Sequence, residues 1–156
     1  MQRYIYIGLL AVVVIGAAGV FFYRTQISSW KTSATAEFGG VSLRIEYATT
    51  TEDREQGLGG RTEMQEDYGM LFVFPKDDKY GFWMKDMLVP IDIFWLDSKG
   101  HVISIASGVA TSTYPNVFYP AAPARYVLET AAGFAKDNNI ATGTSLQLKK
   151  LPSVSQ

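Results

Sequence analysis

The stretch from Tyr68 to Asp97, YGMLFVFPKDDKYGFWMKDMLVPIDIFWLD, restricts what this chain can fold into more than any other, and it holds two of the three tryptophans and four of the nine phenylalanines. Aromatic and β-branched side chains suit a pleated, half-buried surface. Here they crowd into runs of five or six bounded by Pro, Gly and Asp, which predicts strands over residues 70–74, 80–84 and 91–96. Lys85, Asp86 and Asp92 lie among these apolar residues, where an ion is costly unless it is paired or used.

On the N-terminal side of that stretch, Val41, Leu43, Ile45 and Tyr47 alternate with Ser42, Arg44 and Glu46, the period-two signature of a half-buried strand. Thr50 or Thr51 then caps a short helix, with Glu52, Asp53 and Glu55 in its first turns and Gly57 placed to end it. Gly59-Gly60 forces a tight turn that aims Arg61. On the C-terminal side, Asp97-Ser98-Lys99-Gly100 is a hairpin turn into a strand over residues 102–106. Residues 108–123, with three prolines and three Tyr or Phe and no period, read as a long loop. A strand over 126–129, a weak helix over 131–139 and a last strand over 144–148 complete a mainly β, α+β domain. The expected architecture is a compact antiparallel sandwich or barrel-like sheet with about two short helices.

Ahead of this domain, residues 5–22 are eighteen positions without a charge or a proline, near the minimum for a helix that spans a bilayer core. The organisation expected is a membrane anchor over 1–23, a Ser/Thr/Ala/Gly-rich tether over 24–37, the β domain over 38–151 and a tail over 152–156. Arg3 and the α-amine precede the apolar run and Arg24 follows it, so short-flank charge is nearly balanced. A short N-terminal tail before a first apolar segment suggests a single-pass signal anchor in the cytoplasmic membrane, N-terminus in the cytoplasm and domain outside. The rival is a cleaved signal peptide that leaves the domain secreted, with Ala34-Thr35-Ala36 as the small-x-small site.

Charge and composition remove several function classes. Arg3, Arg24 and Lys31 are the only charged side chains before residue 37; taking them from 14 basic groups leaves 11 against 15 acidic, a net of −4 for residues 37–156. Such a domain lacks the basic surface that supplies nucleic-acid affinity. With no cysteine and a single histidine, His101, there is no disulfide framework, thiolate nucleophile, Ser-His triad or multi-His metal site. No phosphate loop, nucleophile elbow or cofactor motif is present, and no metal or cofactor is expected.

Seven residues are candidates for a ligand site: Arg54, Arg61, Trp83, Lys85, Asp86, Asp92 and Glu129. Asp92 shares a strand face with Phe94 and Leu96 while Ile91, Ile93 and Trp95 take the other. It is either a ligand-anchoring or acid/base group, or a structural carboxylate that pairs with Lys85, Arg54 or Arg61 or caps loop amides near Pro90. Lys85 is able to hold an anion or to pair with Asp86 or Asp92. Trp83 and Trp95 form either an aromatic platform or plain core. Met64, Met70, Met84 and Met87 admit a soft-metal reading, although core packing explains them better. Arg54 and Arg61, seven residues apart across the Gly59-Gly60 turn, are able to aim two guanidinium forks at one carboxylate or phosphate. Glu129 sits on the face of Arg125 and Val127, and is either exposed or part of the same ion network.

Four motifs in order carry a resemblance: Arg54-x-x-Gly57-Leu58-x-x-Arg61; Gly69-Met70-Leu71-Phe72; Phe82-Trp83-Met84-Lys85-Asp86-Met87 with Pro90-Ile91-Asp92; and Val127-Leu128-Glu129. Together they resemble domain-of-unknown-function family 192 over about residues 38–150. The resemblance implies a compact, mostly β domain, often behind a signal or membrane anchor, with no established biochemical role. Asp86 stands where that family commonly has Asn, which puts in doubt any role there that needs an amide donor.

The reading preferred from the sequence is therefore a membrane-tethered extracytoplasmic binding module for a small polar or anionic ligand, with Trp83 and the loop from Tyr114 to Tyr119 as walls. One competitor is a structural or assembly protein whose ions only staple the fold. The other is a hydrolase-like enzyme using Asp92 and Lys85 as acid and base, which requires both in one pocket.

Overall fold

A computed structural model describes residues 34–154. The apolar run over residues 5–22, with the anchor and the first part of the tether expected from it, lies outside the described residues. So do the last two positions of the tail.

Nine strands build the domain. Seven form one sheet in the order β6 (Val102–Val109), β5 (Ile91–Leu96), β8 (Ala124–Ala131), β3 (Tyr68–Asp78), β2 (Val41–Ala48), β1 (Ala34–Phe38) and β9 (Leu146–Gln147). Two more, β4 (Phe82–Trp83) and β7 (Val117–Phe118), make a separate ribbon. The large sheet curls until its ends meet: Val102 N–H donates to the Thr144 carbonyl and Leu146 N–H to the Gly100 carbonyl, each at 2.9 Å. The barrel-like, mainly β expectation holds.

Three local features depart from the sequence expectation. Ala34–Phe38 is a strand where tether was expected up to residue 37, with Ala36 and Phe38 buried; Gly39-Gly40 is the tight hairpin turn that follows it, with both φ values positive, 64° and 83°. Cleavage after Ala36 would remove three of the five residues of β1. The sheet is also not wholly antiparallel, because β2 runs parallel to β3, Arg44 opposite Tyr68 through Ala48 opposite Phe72. A parallel pair needs a crossover, and α1 (Thr51–Gln56) supplies it. Finally, the strand expected over 80–84 shrinks to Phe82–Trp83 and pairs with β7, inside the stretch expected to be loop.

Thr50 starts α1 as its N-cap: Asp53 N–H donates to Thr50 Oγ1 at 3.0 Å, and Thr50 N–H donates back to Asp53 Oδ2 at 3.2 Å. Gly57 ends the helix at φ +50°. The second helix, α2, is one short turn, Phe134–Asp137.

Strand alternation sorts side chains onto two faces. Leu43 and Ile45 of β2, Leu71 and Val73 of β3, Phe94 and Leu96 of β5 and Leu128 of β8 fill the inside of the curl. Phe38 packs edge-on to Phe94 (5.2 Å between centroids) and stacks on Phe134 of α2 (6.0 Å). The outer face of β3, β5 and β8 carries Met70, Phe72, Ile93, Trp95, Val127 and Glu129. Leu58, Phe82, Met84 and Met87, all buried, join it in a second apolar layer. Phe82 meets Phe72 at 4.9 Å and Trp95 at 6.1 Å, both edge-to-face. All six residues of β5 are consequently buried.

Candidate functional site

The outer layer does not close completely. Between α1 and the segment that carries β4 lies a cleft of about 530 Å³, within the size range of small-molecule sites. Arg54, Glu55 and Leu58 line one side, and Tyr80, Trp83 and Lys85 the other. Phe72 and Phe74 form the sheet wall, and Glu129 lines the cleft from β8.

Glu129 is 4% exposed. Its cross-strand neighbours are Met70 on β3 and Ile93 on β5, neither of which has a group to satisfy a carboxylate, and among the described residues it makes no hydrogen bond or ion pair. Burial pushes its carboxyl up to about 8, against the opposing pull of the positive charge on Arg61. At neutral pH it is therefore mainly a neutral acid with an O–H to donate into the cleft. The sequence left Glu129 between exposed and networked; the structure makes it neither, because the β4 segment folds over its face without reaching it with a polar group.

Arg54 also belongs to the cleft, but its guanidinium is pinned by neutral groups: Nη1 donates to the carbonyls of Thr49 (2.7 Å) and Val73 (3.1 Å). Its Cζ lies 5.4 Å from the Phe74 ring centre, a cation–π arrangement, and Tyr80 stacks on that same ring at 3.5 Å. No carboxylate pairs with Arg54 among the described residues, so its charge is uncompensated locally. Exposed Lys85 lines the rim and forms no ion pair with Asp86 or Asp92. Trp83 is 50% exposed, beside Tyr114 at 6.0 Å. Trp95, its suggested platform partner, is core instead, donating Nε1–H to the Tyr80 carbonyl at 2.9 Å.

The remaining candidates fall elsewhere. Arg61 is bound to Glu46 of β2 (3.0 Å) and donates to Tyr68 Oη at 2.7 Å, while the Tyr68 hydroxyl donates to Glu46. Burial and the adjacent Glu46 push the Tyr68 hydroxyl well above the usual tyrosine range. The two guanidinium groups thus do not converge, since only Arg54 lines the cleft. Asp86 is exposed and forms no ion pair among the described residues; its backbone sits at φ +58° and its carbonyl accepts from Gly60 N–H at 2.8 Å. Asn and Asp tolerate this left-handed conformation better than most side chains, a backbone reason for Asp where the family commonly has Asn.

Asp92 points inward and away from the cleft. Wholly buried, it accepts from Gly108 N–H at 2.6 Å and Ala135 N–H at 2.8 Å. The register shift between Ile91 and Ile93, with Gly108 at φ +62°, turns the first amide toward it, and the start of α2 supplies the second. Asp92 is thus the amide-binding alternative of the sequence reading, displaced from Pro90 to β6 and α2, and among the described residues no cation pairs with it. Asp92 and Lys85 do not share a pocket, so the geometry required for that acid/base pair is not met. Met70, Met84 and Met87 are core, and no cluster of metal-ligating side chains exists among the described residues.

Sequence reasoning missed Glu46, Glu55, Phe74 and Tyr80. Glu46 was legible on the polar side of the alternating β2 strand. Tyr80 had no such signal, because its stacking on Phe74 depends on the path of the chain after β3 ends at Asp78.

The fold has solved relatives. A Sinorhizobium meliloti protein provisionally described as a transcription regulator shares 32% identity at a TM-score of 0.68, over 70% of this chain and 84% of that one. A Novosphingobium aromaticivorans protein of unknown function shares 26% at a TM-score of 0.69, over 78% of this chain and 89% of that one. No curated protein matches the sequence. The DUF192 family model, described as an uncharacterized ACR, matches residues 34–148, the span that contains the curled sheet, α1 and the cleft: the chain belongs to the DUF192 family.

Proposed function

We propose that this domain is a binding module, tethered to a membrane and held outside the cytoplasm, that takes a small polar or anionic ligand in the cleft between α1 and β4. One observation carries the reading: Glu129, 4% exposed, lines the cleft with no hydrogen-bond partner from the described residues. Its carboxyl is turned to the cleft rather than bonded within the described protein, and a ligand that offers an oxygen would accept its proton. Aromatic walls with few polar groups suit such a site, and the charges of Arg54 and Lys85 favour a ligand with anionic character. The uncharged run over residues 5–22 supports the tether.

The full-length chain in detergent, screened by thermal shift against sugars, nucleotides, carboxylates and metal ions, gains stability with a true ligand by mass action. Glu129→Leu abolishes that gain. A flat response across the panel removes the binding reading. For the tether, protease added to spheroplasts cuts the domain; complete protection removes the proposed orientation.

A further inference from the structure

We infer that the ligand of this cleft is an organic carboxylate with an apolar body, its carboxylate held at the buried end by the carboxyl of Glu129 and its body by the aromatic lining. The inference rests on the cleft being a binding site and assigns the chemical class of its occupant.

The charges facing Glu129 decide between ligand types. From β3 and β5 its neighbours are apolar, Met70 and Ile93. From the turn after α1 the charge of Arg61 reaches it, although Arg61 is itself paired with Glu46 of β2. The other charges of the cleft line it farther from Glu129: Arg54 and Glu55 on the helix, and Lys85 on the β4 segment. With the Arg61–Glu46 pair neutral overall and Glu129 protonated, the cleft is left with two cations against one exposed acid. It therefore favours one further negative charge, and burial keeps Glu129 from being that charge. A ligand carboxylate brings it while Glu129 keeps its proton, so one proton lies between two oxygens and the desolvated O–H gains an acceptor. An ammonium ligand would instead add a third cation beside Arg54, Lys85 and the field of Arg61. Phe72, Phe74, Phe82 and Trp83 line the rest of the cleft, which suits an aryl or alkyl body rather than a polyhydroxylated one.

Calorimetric titration of the full-length chain with phenylacetate and hexanoate, and with phenylacetamide and phenethylamine as neutral and cationic counterparts, tests this between pH 6 and 9.5. The carboxylates are expected to bind with constant affinity at pH 6–7. Their affinity then weakens, approaching about tenfold per pH unit above about 8 as Glu129 loses its proton. Glu129→Gln keeps an uncharged donor, so it retains binding within a few-fold and removes the pH dependence, whereas Glu129→Leu loses at least about tenfold. Circular dichroism verifies that both variants fold. Carboxylate affinity that is flat across pH 8 in the unmodified chain overturns the assignment. So does preferential binding of the amine with affinity rising above pH 8, or binding of the amide alone, although each of these last two leaves the cleft a ligand site. Failure of every probe, here and in the wider panel, removes both readings.

Discussion

Asp92 on β5 and Glu129 on the adjacent β8 are carboxyl groups 0% and 4% exposed, and their register partners differ by a single step, Thr130 for Asp92 and Ile93 for Glu129. That step sends them to opposite faces of one sheet. Inside the curl Asp92 meets two backbone amides; on the outer face Glu129 meets hydrocarbon and an opening. Burial alone therefore says little about role. What separates a fold staple from a candidate binding group is whether the protein itself supplies the hydrogen bonds.

The largest effect expected from breaking this comparison is on the inner side. Asp92→Ala removes two amide–carboxylate hydrogen bonds and costs about 4 kcal/mol, measured by chemical denaturation; a loss below about 1 kcal/mol would mean that the two amides find other partners and that Asp92 is not a staple. On the outer side the sign reverses. The folded-state carboxyl of Glu129 titrates near 8 rather than at 4.5, so the unfolded chain gives up this proton first as pH rises. The contribution of Glu129 is thus fully present below about 4.5, declines through neutrality and is gone by about 8. This costs about 3 kcal/mol between pH 4.5 and 7, and Glu129→Gln removes that part of the slope in a series of denaturation curves. Were the slope to persist in the variant, the outer carboxyl would not be the desolvated acid described.

A smaller change probes the wall of the cleft. Thr50→Ala removes the acceptor that starts α1 and lowers stability by about 1 kcal/mol, as read from denaturant midpoints. The least is expected at the rim. Trp83→Ala alters stability by about 0.5 kcal/mol or less while weakening any response to ligand, whereas the same change at Trp95 costs about 4 kcal/mol. Equal losses at the two tryptophans would erase the distinction between rim and core.

Much of the scaffold was readable from residues because it depends on local rules. The six-residue apolar run of β5 implied two covered faces, and alternation placed Asp92 with Phe94 and Leu96. The Thr50 cap and Gly57 stop bounded α1. The site was less readable. An Arg125, Val127, Glu129 alternation looks the same whether its face meets water or a second apolar layer, and only the return of Phe82, Met84 and Met87 over the sheet decides between them. Arg54 and Arg61 looked like one clamp because they are close in sequence, yet Glu46, distant in sequence and near across the parallel β2–β3 pair, takes Arg61 away.

The sequence by itself determined the main strands β2, β3, β5, β6 and β8, the cap and stop of α1 and the DUF192 motifs, since period, backbone conformation and end-capping act over a few residues, whereas β1, β4 and β7 depended on their pairing partners. Tertiary structure alone decided which carboxyl is bonded within the described protein and which faces the cleft. Hydrogen-bond satisfaction depends on groups brought together from distant parts of the chain: Gly108 and Ala135 reach Asp92, and among the described residues no group hydrogen-bonds Glu129.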